Sequence, residues 1–158
     1  MEQAGQAIYT ALRDDSEATN GIRALLGNTT TTPYNVYHAD FPTSFDFSPS
    51  SGTAQGLITY HMVSSVRDNE MSRPSIYVFQ ALYNITVYAR ALTKVEAVHR
   101  RVMLRLHNMR NVTVPTTLAW LHNVKLENEG PNIFDDAFKV HYRAAFYRVW
   151  GRDDNING

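Results

Sequence analysis

Apolar residues recur along this chain with two different periods, and the places where the period changes mark its elements. From Glu2 to Leu26 the spacing is helical. Ala7, Ile8, Ala11 and Leu12 fall on one face, and Ile22, Leu25 and Leu26 belong to a second piece. Asp14, Asp15 and Asn20-Gly21 are placed to break the two apart, Ser16 or Thr19 to cap the second, and Gly27 to stop it. A Thr-rich stretch from Asn28 to Pro33 leads into a short alternation around Tyr34, Val36 and His38. Two long period-2 runs follow, Gly56 to Val66 and Ser75 to Arg90. Their β-branched and aromatic residues argue for strands. The polar link RDNEMSRP between them predicts an extended antiparallel hairpin.

The period then returns to helical. Val95, Val98, Val102, Leu106 and Met109 form an apolar stripe on a helix expected from about Lys94 to Asn108. Thr93-Lys94-Val95-Glu96 has the spacing of a capping box, in which the Thr hydroxyl accepts from the Glu96 amide and the carboxylate reaches back. The last third is extended: Leu118 to Leu126, a turn at Glu127 to Pro131, and a long alternation from Ala137 to Trp150. In that alternation Phe138, Val140, Tyr142, Ala144 and Phe146 oppose Lys139, His141 and Arg143. Helix, strands, helix, strands, with no alternating βαβ units, predicts an α+β fold. The expected architecture is an antiparallel β-sheet with long hairpins, packed on one face by an N-terminal helix and a central helix. No internal repeat or second domain is visible, so residues 1–158 read as one domain with a long loop at 39–55 and a frayed C-terminal tail at 152–158.

Charge narrows the partners. Fifteen basic and fifteen acidic residues cancel, so the molecule as a whole has no electrostatic bias toward nucleic acid or anionic membranes. The absence of cysteine removes disulfides, thiolate metal sites and cysteine nucleophiles together. Met1 to Gly5 lacks the basic and apolar regions of a signal peptide, and no apolar run approaches the roughly 20 residues of a membrane helix. A soluble intracellular product without membrane contact is expected, in which the Asn28, Asn84 and Asn111 sequons are chance.

Catalytic apparatus is sparse. There is no phosphate-binding loop, GxSxG, HExxH or GxGxxG. The histidines at 38, 61, 99, 107, 122 and 141 do not share the spacing of metal ligands on one helix face. Acidic residues cluster in expected turns, at Asp14-Asp15, Asp68 to Glu70, Glu127 to Glu129 and Asp135-Asp136, where they serve solubility and turn formation. No catalytic, cofactor-binding or metal-binding residue is therefore assigned, and the chain is expected not to be an enzyme.

Two features suggest interaction instead. Arg90, Lys94, Arg100, Arg101, Arg105 and Arg110 face only Glu96, and Arg101 and Arg105 share a helix face at i, i+4. An anion-facing surface is one reading. A solvated face whose late arginines complement the helix dipole is the simpler one, because no aromatic residues are interleaved for base stacking. If the arginines do act, protein contacts within or between subunits are expected in preference to DNA. The second feature is the polar, Pro-containing loop 39–55, which carries Phe41, Phe45 and Phe47. These aromatics either fold back on their own sheet or anchor a neighbouring chain, and both readings stay open.

The ordered combination of these features resembles the tail terminator (tail completion, head–tail joining) proteins of long-tailed bacteriophages. An N-terminal helix precedes an extended segment with Tyr37 and Pro42, and a strand ends in serines, Ile58 to Ser65. A long strand closes on Ile85-Thr86-Val87-Tyr88-Ala89-Arg90 and enters a helix of the form T-x-x-E-A, Thr93 to Ala97, that ends in Leu106-His107. A final strand carries Arg143 and Arg148. The pattern spans nearly the whole chain and rests on no single diagnostic motif. The resemblance implies a structural virion protein, assembled in the host bacterial cytoplasm and located at the tail–head junction. It would form a ring, typically a homohexamer, that caps the tail tube, stops its polymerisation and offers a docking surface to the head connector. Its partners would be itself, the tail tube protein and a neck protein, with DNA passing through the lumen without specific binding. Another neck or tube protein is the nearest alternative, and a small nucleic-acid-binding α+β module a more distant one.

Overall fold

The computed structural model describes residues 2–47, 55–69, 77–113 and 119–153. Its elements are α1 (Glu2–Arg13), α2 (Ile22–Leu25), β1 (Val36–His38), β2 (Gly56–Asn69), β3 (Tyr77–Ala89), α3 (Leu92–Leu106), β4 (Arg110–Thr113), β5 (Ala119–Glu129), β6 (Ile133–Asp135) and β7 (Val140–Asp153). The fold is α+β. Among the described residues the strands form one sheet in the order β1-β2-β3-β7-β5-β4, with β6 also on β7. Every pairing is antiparallel except that of β1 with β2, which is parallel. Residues 48–54 of the expected loop, most of the hairpin link, and 154–158 of the tail lie outside the described residues.

Alternation along β3 explains the layering. Phe79, Ala81, Tyr83, Ile85, Val87 and Ala89 are all buried, and all belong to the main core beneath the helices. Into that core α1 sends Ala4, Ala7, Ile8 and Leu12, α2 sends Ile22, and α3 sends Val95, Val98, Val102 and Leu106, each at most 4% exposed. Burial of one such aliphatic side chain is worth about 2 kcal/mol, so the three helices are held chiefly by this face. On β7 the residues beneath the helices are Ala145, Tyr147 and Val149. The alternate residues Val140, Tyr142, Ala144 and Phe146 therefore lie on the opposite face.

Several local expectations are corrected. The capping box does not form: α3 begins two residues earlier than Thr93 as a cap would require, with Ala91 as its N-cap and no side-chain cap. The amides of Lys94 and Val95 donate to the Ala91 carbonyl at 3.1 and 3.2 Å, which places Thr93 inside the first turn. Glu96 instead accepts from the Asn132 amide group at 3.2 Å. The chain does not reverse at Glu127 to Pro131. β5 continues to Glu129, pauses, and resumes on the same side of β7 as β6, since Glu129 pairs with Ala145 and Ile133 with Tyr142. Gly130 bridges the pause by donating to the Ala144 carbonyl at 2.8 Å. The reversal comes at 136–139, where the Asp135 carboxylate accepts from the amides of Ala137 and Phe138 at 2.9 and 3.2 Å and Lys139 takes a φ of 54°. Phe138 therefore belongs to the turn, not to the strand. Arg152 and Asp153, expected in a frayed tail, are the last residues of β7 and pair with β3 and β5.

The break between α1 and α2 is built around a buried carboxylate. Asp15 is 4% exposed and accepts from the Ile22 amide at 3.0 Å. The turn closes so tightly that a Cβ on Gly21 would lie 2.5 Å from the Glu17 carbonyl oxygen, which only glycine avoids. Downstream, the Thr32–Pro33 bond is cis, and buried Asn35 donates to the carbonyls of Leu26 and Gly56 at 3.2 and 3.1 Å. Those bonds seat β1 against β2.

Candidate functional site

Arg101 lies between the solvent and the Asp15 turn. Its Nε and Nη2 donate to the two carboxylate oxygens of Asp15 at 2.6 and 2.8 Å, and Nη2 also meets Glu17 at 2.8 Å. Burial acts to raise the Asp15 carboxyl, but the hydrogen bonds from Arg101 and the Ile22 amide and the charge of Arg101 outweigh it and hold it below the ordinary carboxylate range. Arg105, one turn on, is exposed and donates from Nε and Nη2 to the Ala11 carbonyl at 3.4 and 3.3 Å. That carbonyl is one of the unpaired acceptors in the last turn of α1, where a cation is favoured. The basic face of α3 is thus used inside the chain, clamping α1 and the turn that follows it.

The loop phenylalanines gather on the sheet face away from the helices. Phe47 is buried with Leu57 and Val140, and Tyr37, Phe41, Phe45 and Tyr88 pack around them. Phe47 meets Phe41 and Phe45 with ring centroids 6.0 and 4.8 Å away, and Phe41 also lies 5.2 Å from Tyr88 and 5.7 Å from Phe138. Phe47 is therefore a core residue of this small second cluster, whereas Phe41 and Phe45 are only half-buried at its rim.

A third grouping was not legible in the sequence. His99 is buried beneath α3, and its Nε2 lies 3.5 Å from Glu129 without a hydrogen bond to it. Glu129 is paired instead with Arg143, which also donates from Nε to the Gly130 carbonyl at 3.0 Å. Burial, with the charge of Arg143, pushes the His99 imidazole down, and Glu129 opposes this. The neighbouring Tyr147 hydroxyl is buried without a partner, and burial raises it. Period-3.6 spacing could have found His99, since it lies four residues from Val95 and three from Val102. Among the described residues no three of His, Asp or Glu converge as metal ligands, and no helix is long and apolar enough to cross a membrane.

Apart from Leu92 and Leu104 on α3 and Val78 in β3, the exposed large apolar residues among those described gather at two corners of the sheet. β1 covers β2 only as far as Tyr60. Beyond it Met62, Val63 and Val66 are 38, 49 and 61% exposed. Ile133, Phe134 and Phe138 are 42, 49 and 50% exposed around the β6–β7 turn. Between these corners the helix-free face of the sheet carries the Arg148–Glu127 pair, two hydrogen bonds of 2.7 and 2.6 Å, with Gln80 accepting from Arg148 at 3.3 Å. Such a surface is suited to contact with other proteins.

No protein-family model matches the chain, and no curated protein matches it. A solved structure does. The fold is similar to that of a chain in the virion of native gene transfer agent (GTA) particle, with a TM-score of 0.58 and 18% sequence identity. The similarity covers 94% of this chain and 96% of that one. At that identity the likeness is one of fold, from the first helix to the last strand.

Proposed function

We propose that this chain is a structural subunit of a phage-like particle, of the tail terminator kind, and not an enzyme. The observation that carries the reading is the end-to-end match of its fold to a chain of a gene transfer agent virion, with almost nothing left over on either side. The order of elements that resembles tail terminators points the same way. In this reading the subunits form a closed ring, a homohexamer, on the last ring of tail tube protein at the tail–head junction. The ring stops tube growth and presents its other face to the head connector, and DNA passes through the lumen without being gripped. Assembly takes place in the bacterial cytoplasm. The exposed apolar corners of the sheet support a protein that works by touching other proteins. The engagement of Arg101 and Arg105 within the chain speaks against a nucleic-acid-binding role for that pair.

Adding the purified chain to preformed tail tubes, followed by negative-stain microscopy, tests this. Ring-shaped density at one end of each tube and an end to further elongation are expected. Tubes that elongate unchanged with no end density would refute the capping role.

A further inference from the structure

The two exposed apolar corners belong to the same sheet and differ in position in a way that makes them complementary. From His61 to Val66 the outer edge of β2 has no strand beside it among the described residues, and this stretch, His-Met-Val-Ser-Ser-Val, carries neither a Lys, an Arg, an acid nor a Pro. Edges left exposed in monomers are usually blunted by such residues; here there is only the bulge at Val63. On the opposite margin lies β6, whose outer side likewise has no strand neighbour among the described residues and whose Ile133 and Phe134 are exposed.

The register fixes their relative placement. Ile133 pairs with Tyr142, which pairs with Tyr88, which pairs with Leu57, so β6 stands level with the start of β2. Val66 pairs with Gln80, eight residues along β3 from Tyr88, a displacement of about 27 Å at the rise of an antiparallel strand. β2 runs in the same direction as β7, and β6 runs against both. A second copy brought alongside with its strands running in the same sense would therefore set its β6 antiparallel to the free stretch of β2. Val66 and Ile133 would then lie on the same, helix-free face of a continued sheet.

We infer that the β2 edge from His61 to Val66 is a docking edge for the β6–β7 corner of a second copy of this chain. The contact is head-to-tail, with different surfaces on the two partners, and such contacts close into rings or run on as filaments. A ring forms when the rotation from one copy to the next closes after a whole number of copies. This inference rests on the ring-forming reading above and names the surfaces by which the ring is made.

The absence of native cysteine makes the test direct. Val66→Cys, Ile133→Cys and the double variant would be treated with a short bismaleimide, both as concentrated purified chain and within particles from the producing host. The double variant should give a ladder of multimers, while each single variant should stay monomeric on a denaturing gel. A dimer from either single variant alone would show a symmetric contact and overturn the inference. So would a monomer-only double variant in both settings, or Val66→Cys linked only to another particle protein. A second variant, Val66→Glu, should reduce multimers at least tenfold with no loss of thermal stability, since the side chain is exposed. Multimers at the wild-type level would overturn the inference. Capping is scored separately. Capped tubes without the crosslink would sink the edge but not the function, and a crosslinked ladder without capping would sink the function but not the edge.

Discussion

Replacing Asp15 with Asn removes one charge from a buried site while keeping the shape of the side chain. The carboxylate is 4% exposed and accepts three hydrogen bonds, two from Arg101 and one from the Ile22 amide. Breaking a fully buried ion pair from one side costs about 3–5 kcal/mol. Arg101 is about one-fifth exposed and keeps Glu17 as a partner, so the loss should fall lower, at about 2–3 kcal/mol, within the range for charge-assisted hydrogen bonds. For a chain of this length that corresponds to a fall in Tm of roughly 5–10 °C. Urea denaturation followed by circular dichroism would measure it, with Arg101→Met and the double variant completing a cycle. The double variant should lose much less than the sum of the two singles. The pH dependence gives an independent check. The Asp15 carboxyl is held below its ordinary value of 3.8, so its contribution is complete above that pH and is lost as pH falls through the lower, folded-state value. Wild type and Asp15→Asn should therefore converge in strong acid. A cycle with no coupling, or a variant as stable as wild type at neutral pH, would refute the view that this pair fixes α1 to α3.

Other sites give sharp outcomes. Phe47→Ala should cost about 3 kcal/mol in chemical denaturation because it empties the second cluster, whereas Phe41→Ser and Phe45→Ser, at its rim, should each cost about half as much or less. A folded, undiminished Phe47→Ala variant would return all three rings to the role of anchors for a neighbouring chain. Tyr147→Phe removes a buried hydroxyl that has no partner and should leave stability equal or raise it by about 1 kcal/mol; a marked loss in Tm would mean that the hydroxyl is bonded. Burial holds His99 below its ordinary value of 6.5, so its neutral form supports the fold above that pH and the support is lost as pH falls through the folded-state value. His99→Gln should flatten that part of the stability–pH curve, and an unchanged slope would show that other groups set it.

The parts legible in the sequence were those set by period. The alternation of β3 marked a strand, and the Val95-Val98-Val102-Leu106 stripe named the buried face of its helix, because each element meets one core on one side. Misreadings arose where long-range geometry overrode a local signal. Thr93 has the spacing of a cap, yet the chain enters α3 so directly from β3 that Ala91 takes that place. Gly130 and Pro131 look like a turn, yet β7 holds both flanking segments in line. β4 and β6 are too short for a periodic signal, and β6 acquires its strand form only from pairing with β7. The pairing of Arg101 with Asp15, 86 residues apart, has no local signature at all. The exposed edge of β2 was equally hidden, because a sequence does not show where a neighbouring strand stops.

The central claim, that this chain ends the growth of a tail tube, is tested most directly by the distribution of tail lengths in particles produced without it. Negative-stain microscopy of material from a host carrying a deletion of its gene would supply that distribution, with complementation as the control. The account predicts tubes of uncontrolled length, or tails that accumulate without heads, and recovery of uniform, attached tails on complementation. Tails of normal, uniform length joined to heads in its absence would contradict it.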